Sequence, residues 1–150
     1  MSKASDLANL IGNINAGGGG VNRNAIINGA MNVAQRGTSS TGLGASSGYF
    51  VCDRWYLYSN DNQGRLTMSQ DSSVPTGKGF ANSLKLQCTT ADTSIGTNEG
   101  LQITQKIESQ NLQSFGKGTS EAKPFAVSFY VKGNASATYV CELMDVDNSN

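Results

Sequence analysis

Apolar residues in this chain come in short alternating runs, each closed by Gly, Asn, Asp or Pro. Leu66 and Met68 alternate with polar neighbours, as do Leu84, Leu86 and Cys88. The same holds for Phe125, Val127, Phe129 and Val131, and for Tyr139, Cys141 and Leu143. A period of two puts one set of side chains on one face of a strand and their neighbours on the other. Residues 49–52, 54–58 and 101–107 extend the series. In 54–58, Trp55 and Leu57 share a face opposite Arg54, Tyr56 and Tyr58. In 101–107, Leu101 and Ile103 share a face that Ile107 rejoins. About eight short strands separated by turn signals predict an antiparallel β-sandwich or barrel.

Ahead of these strands lies Asn24-Ala25-Ile26-Ile27-Asn28-Gly29-Ala30-Met31-Asn32-Val33-Ala34-Gln35-Arg36-Gly37. Asn28-Gly29 is a strong turn signal between the apolar Ile26-Ile27 pair and the alternating Met31 and Val33, so a strand, a turn and a second extended piece are expected. Thr38 to Ser47, rich in Ser, Thr and Gly, reads as a loop.

Residues 2–15 predict a helix, with Leu7, Leu10, Ile11 and Ile14 on one face. Ser2 or Ser5 can cap it and Asp6 suits its positive end, whereas Gly12 weakens it by about 1 kcal/mol. So short a helix is marginal alone in water and needs a partner for its apolar stripe. Gly17-Gly18-Gly19-Gly20 follows as a tether rather than a phosphate loop, because the Walker spacing and lysine are missing. The reading is therefore an attachment segment over 1–20, docking or self-associating through Leu7, Leu10, Ile11 and Ile14, and a β domain over 21–150.

Eleven basic and eleven acidic residues cancel, so no global field recommends nucleic acid or an anionic membrane as partner. There is no run of about 18 apolar residues to insert in a bilayer, and the first residues lack the basic start and apolar stretch of a secretory signal. Cys52, Cys88 and Cys141 are odd in number and form no CxxC pair; buried free thiols and a reducing compartment are expected.

Asn24-x-Ile26-Ile27-Asn28-Gly29-x-Met31-x-Val33-x-Gln35-Arg36-Gly37, followed by Asp53-Arg54-Trp55, resembles the opening of a jelly-roll module found in tailed-phage virion proteins, notably fibres of cyanophages. Ser83-Leu84-Lys85-Leu86, residues 101–108 and Pro124-Phe125-x-Val127-Ser128-Phe129-x-Val131-Lys132 are similar to its later strands, so the resemblance covers about residues 22–144. It implies a jelly-roll sandwich in a virion structural protein, often a homotrimer, assembled in the host cytoplasm. It further implies that residues 1–20 dock the fibre to the tail or another virion protein, and that a host-surface glycan is a partner. The module resembled runs on past position 150, so the expectation is either a fragment, truncated within its β domain, or a closing strand from elsewhere. Asn-x-Ile-x-Asn-Gly alone also suits carbohydrate-binding modules of the same sandwich class.

Catalytic chemistry finds little support. The chain has no histidine, which removes the commonest general base and metal ligand. A serine nucleophile would need another base, and the cysteines lack a histidine partner. Asp53, Glu99, Glu108 and Glu142 are carboxylates of the kind glycoside hydrolysis uses, but no spacing singles out a pair. Asp145, Asp147 and Asn148 resemble a calcium run without the EF-hand glycine and closing glutamate. No enzyme, cofactor or metal is expected. Asp53-Arg54 reads as a loop-fixing pair and Trp55 as core, while Tyr56 and Tyr58 form the one platform suited to stacking a sugar. A virion fibre is the leading expectation, a lectin-like module the second, and a glycan-active enzyme fragment the third.

Overall fold

The computed structural model describes residues 24–134, 136 and 138–146. The helix expected over 2–15, with Leu7, Leu10, Ile11 and Ile14, and the glycine tether lie outside the described residues. Among the described residues five strands and one short 3-10 helix follow one another: β1 (Ser39–Leu43), β2 (Tyr56–Asn60), β3 (Arg65–Asp71), β4 (Ser83–Thr90), β5 (Gly100–Thr104) and η1 (Ser109–Phe115). The strands form two antiparallel sheets, β1-β3-β4 and β2-β5. The all-β expectation therefore holds, and among the described residues no helix is long and apolar enough to cross a membrane.

The alternation in β3 does what its period dictates. Leu66 and Met68 point inward and are buried, while Arg65, Thr67 and Ser69 between them stay partly exposed. Leu43 from β1 and Leu57 from β2 join them, so the core draws on both sheets, and Val51 and Cys52 complete it from the chain entering β2. Met31, Ala34, Phe50, Trp55, Leu84 and Ile103 pack around this cluster. Removing one such apolar side chain from water stabilises the fold by about 1.5–3 kcal/mol, so the six buried among the described residues make a small core whose members each matter.

Several expectations are corrected. Ser39–Leu43 is a strand, not a loop. One apolar residue in five leaves no periodic signal, and the strand exists because the edge of β3 offers its backbone partners. The register slips between Ser40 and Leu43, and Gly42 lies there at φ +68°, the left-handed glycine such a bulge favours. Around Asn28-Gly29 the turn forms, but no strand forms at Ile26-Ile27 or Met31-Val33. Asn28 (φ 54°) and Met31 (φ 55°) both adopt left-handed backbone, which winds the chain into consecutive turns.

The last two expected strands also fail to form: residues 125–131 and the described part of 137–144 carry no strand. Their apolar side chains are exposed, Phe125 by 48% and Val131 by 65%. Periodicity predicts which side of a strand will be buried, but a strand needs a neighbour for its backbone as well. On β4, Leu86 and Cys88 were expected inward and are exposed instead. Their register partners are Met68 and Leu66, so they share the core face of the sheet. The core simply ends before it reaches them. Of the three thiols, only Cys52 is buried as expected; Cys88 and Cys141 are exposed and all three are free.

Candidate functional site

The stretch 24–37 is held in place by a clamp centred on Asn28. Its Nδ2 donates to the carbonyl oxygens of Val33 (2.9 Å) and Asp53 (3.0 Å), and its Oδ1 accepts from the Val33 N–H (3.0 Å). Its own carbonyl accepts from Met31 N (3.0 Å) and from the indole Nε1 of Trp55 (3.0 Å). An asparagine fits here for two reasons. It tolerates left-handed backbone, and its amide donates and accepts at once. Val33 O also accepts from Asp53 N at 2.9 Å, so two strand-less segments are joined backbone to backbone.

Charge closes the clamp on its outer side. Arg36 Nη1 lies 3.0 Å from Asp53 Oδ1, and the Asp53 side chain is only 17% exposed. Arg54, with φ 74°, reaches Glu108 at 3.6 Å and donates to the Lys106 carbonyl at 3.5 Å. Burial and the neighbouring Asp53 carboxylate push the Cys52 thiol above its ordinary value. Gln105 ties the far end: its Oε1 accepts from Ile27 N and its Nε2 donates to Ile27 O, both at 2.8 Å. One side-chain amide thus pairs with the main chain as a neighbouring strand would. Asp53-Arg54 fixes loops and Trp55 packs on the core, as the sequence predicts.

Beside the clamp is a tyrosine face. Gly48 and Leu57 exchange both backbone hydrogen bonds at 2.9 Å, which brings Tyr49 alongside β2. The Tyr49 and Tyr56 rings meet edge to face, with centroids 4.9 Å apart. The Arg36 guanidinium lies 5.6 Å from the Tyr49 centroid and the Lys106 ammonium 6.0 Å from that of Tyr56. Two residues along β2, Tyr58 points to the same side and is 41% exposed. The predicted pair Tyr56 and Tyr58 therefore shares a face, but only Tyr58 stands open. Tyr49, Arg36 and Lys106 escaped the sequence reading. The Gly48–Leu57 bridge that brings Tyr49 there has no sequence signature.

The third feature is a set of exposed apolar side chains. Residues 125–132 start at Phe115, whose ring lies 6.1 Å from that of Phe125. They reach Phe80, 5.8 Å from Tyr130, and Ser73, whose Oγ is 3.1 Å from Lys132 Nζ. With Leu86 and Cys88 on β4, these residues present strand-patterned apolar side chains to water. A hollow of about 130 Å³ lined by Asn24, Ala25, Ile27, Asn111 and Phe115 is small beside ordinary ligand pockets.

The carboxylates weighed for hydrolysis are mostly engaged locally: Asp53 with Arg36, Glu108 with Arg54, and Glu99 with the Gly96 N–H at 2.9 Å. Gly44-Ala45-Ser46-Ser47-Gly48 has the spacing of a nucleophile elbow, a match the sequence reading missed. It runs from β1 to the Gly48 bridge instead of from a strand into a helix. The serine at the centre of that spacing is Ser46; its neighbour Ser47 ties the turn to β2, its Oγ accepting from Ser59 N at 2.9 Å and donating to Ser59 O at 3.1 Å. Among the described residues no group of three or more His, Cys, Asp or Glu is placed to hold a metal ion. Part of the calcium-like run, at 147 and 148, lies outside them. No family model, curated protein or solved structure matches the chain.

Proposed function

We propose that the chain is an assembly component of a virion, a fibre-type structural protein with a jelly-roll β domain that residues 1–20 dock to a tail protein. The observation that carries this reading is the exposure of the apolar side chains of residues 125–131, and of Leu86 and Cys88 on β4. Strand-patterned apolar segments left in water are a liability in a solitary domain and an asset in one that is covered on assembly. Zero net charge removes long-range repulsion between copies. The resemblance of 24–37 and 53–55 to a phage-fibre module supplies the virion context, and those are the residues of the Asn28 clamp.

Light scattering on the full chain, and on the chain lacking residues 1–20, tests the reading. A trimer that persists without those residues is the expected result. A monomer in both forms overturns self-assembly through the β domain. Loss of docking to virion proteins on changing Leu10→Asp, with the domain still folded, is expected of the attachment segment.

One observation favours the lectin-like reading as a second. Tyr58 stands open beside Tyr56, with Lys106 at the edge of the same face, and together these offer a stacking surface and a cationic donor for a host glycan. Glycan binding that survives removal of residues 1–20 and fails in Tyr58→Ala would favour it.

A further inference from the structure

Asn28-Gly29 is the only Asn-Gly pair in the chain. In an open chain such a pair converts on its own. The Gly29 backbone nitrogen attacks Cγ of Asn28 with no Cβ in its way, forming the N–Cγ bond of a succinimide. The Cγ–Nδ2 bond breaks, and ammonia leaves with the proton from the Gly29 amide. Water then opens the ring at either carbonyl, giving aspartate or its β-linked isomer. The chemistry needs no enzyme and no co-reactant but water. It does need a side chain free to swing onto its own main chain.

In the folded domain that freedom is gone. Both ends of the Asn28 amide are held, Nδ2 by Val33 O and Asp53 O and Oδ1 by Val33 N, all within 2.9–3.0 Å. The main chain on the other side is pinned by the bonds from Met31 N and Trp55 Nε1 to Asn28 O. Attack therefore requires the whole clamp to open. We propose that Asn28-Gly29 is a modification site that the fold holds shut, and that its conversion, once the clamp opens, removes the means of closing it.

An ionised aspartate accepts and cannot donate, so Val33 O and Asp53 O would face carboxylate oxygen in place of two N–H groups. The new charge would also arrive beside the Asp53 residue that Arg36 already neutralises. The β-linked product is worse, because it adds a methylene to the main chain between Ile27, tied to Gln105, and Met31, tied to Gln70 Nε2 at 2.6 Å. Each opening that ends in conversion thus withdraws a molecule from the folded pool.

The test is peptide mapping by mass spectrometry on the full chain, incubated in native buffer and in urea at one pH and temperature. Conversion at Asn28 in urea is expected to match a free peptide of residues 24–34. In native buffer it is expected to be at least about tenfold slower, the ratio giving the fraction of time the clamp is open. Equal rates in the two solutions would overturn the protection, and no conversion in urea would overturn the site. Asn28→Asp, made directly, is expected to melt well below the parent or to remain unfolded. A melting point equal to the parent's would overturn the claim that conversion prevents closure.

Discussion

Replacing Asn28 separates the two reasons for an asparagine at the centre of the clamp. Asn28→Gly keeps the left-handed backbone at no steric cost and deletes the side chain. It removes three hydrogen bonds, from Nδ2 to Val33 O and Asp53 O and from Val33 N to Oδ1. Each is worth about 0.5–1.5 kcal/mol net. Two of the three lie where water can take over and the Asp53 carbonyl bond is part-buried, so a loss of about 2 kcal/mol is expected, toward the lower end of the sum. Asn28→Ala loses the same bonds and also forces a Cβ-bearing residue without a local partner to hold φ near 54°. That adds about 1–2 kcal/mol. Urea unfolding followed by Trp55 fluorescence is the assay, since Trp55 is the only tryptophan and its indole bonds directly to Asn28 O. For a domain of this size 1 kcal/mol corresponds to about 4 °C, so Asn28→Gly is expected to melt about 8 °C low and Asn28→Ala lower still. A Gly variant as stable as the parent would refute the clamp as a stabilising unit. Equal Gly and Ala variants would refute the backbone component.

Leu57→Ala is expected to cost about 2–5 kcal/mol, enough to unfold much of the population, because Leu57 is fully buried in a cluster of six; circular dichroism and urea titration check it. Native alkylation is expected to modify Cys88 and Cys141 and spare Cys52, whose thiol is buried and held protonated above its ordinary value, with the third label appearing only in denaturant. Acid destabilisation is expected to involve Asp71 and Asp92. The Ser73 N–H and Lys85 depress Asp71, and the N–H groups of Ser94 and Gln63 depress Asp92, both from an ordinary 3.8. Because the folded values are lowered, their contribution is present above 3.8 and is lost as pH falls through the folded values. Asp71→Asn should therefore flatten the fall in urea midpoint in that acid window and leave its neutral slope unchanged.

Local patterning made β3, β4 and most of β2 and β5 legible. Leu66, Met68, Leu84 and Leu57 stand where a period of two puts them, and the turns between carry Gly, Asn and Asp. β1 was illegible because Ser39–Leu43 is chosen by its neighbour and not by its own residues. Phe125 to Val131 fails in the opposite sense: it alternates strongly, yet among the described residues it pairs with no strand. Leu86 and Cys88 show the same limit, since alternation identifies a face but not how far the opposite layer extends. At the clamp, Asn28-Gly29 announced a turn, yet nothing local announces a side chain that reaches Asp53, 25 positions on. The tyrosine face was half visible. Tyr56 and Tyr58 are two apart on one strand, whereas Tyr49 arrives only through the bridge at Gly48.

Gln105 closes a loop begun at Ile27, 78 positions earlier. A ribosome adds about 5–20 residues per second, so Ile27 precedes its partner by about 4–16 s. Through that interval β1, β3 and β4 can already assemble, because all three lie within residues 39–90. The Ile27 main chain must wait for Gln105, which follows β5, the strand that supplies the other half of the β2 pair. Synthesis therefore divides this small domain in time: a three-stranded sheet made early, then the β2-β5 pair together with the amide latch on Ile27.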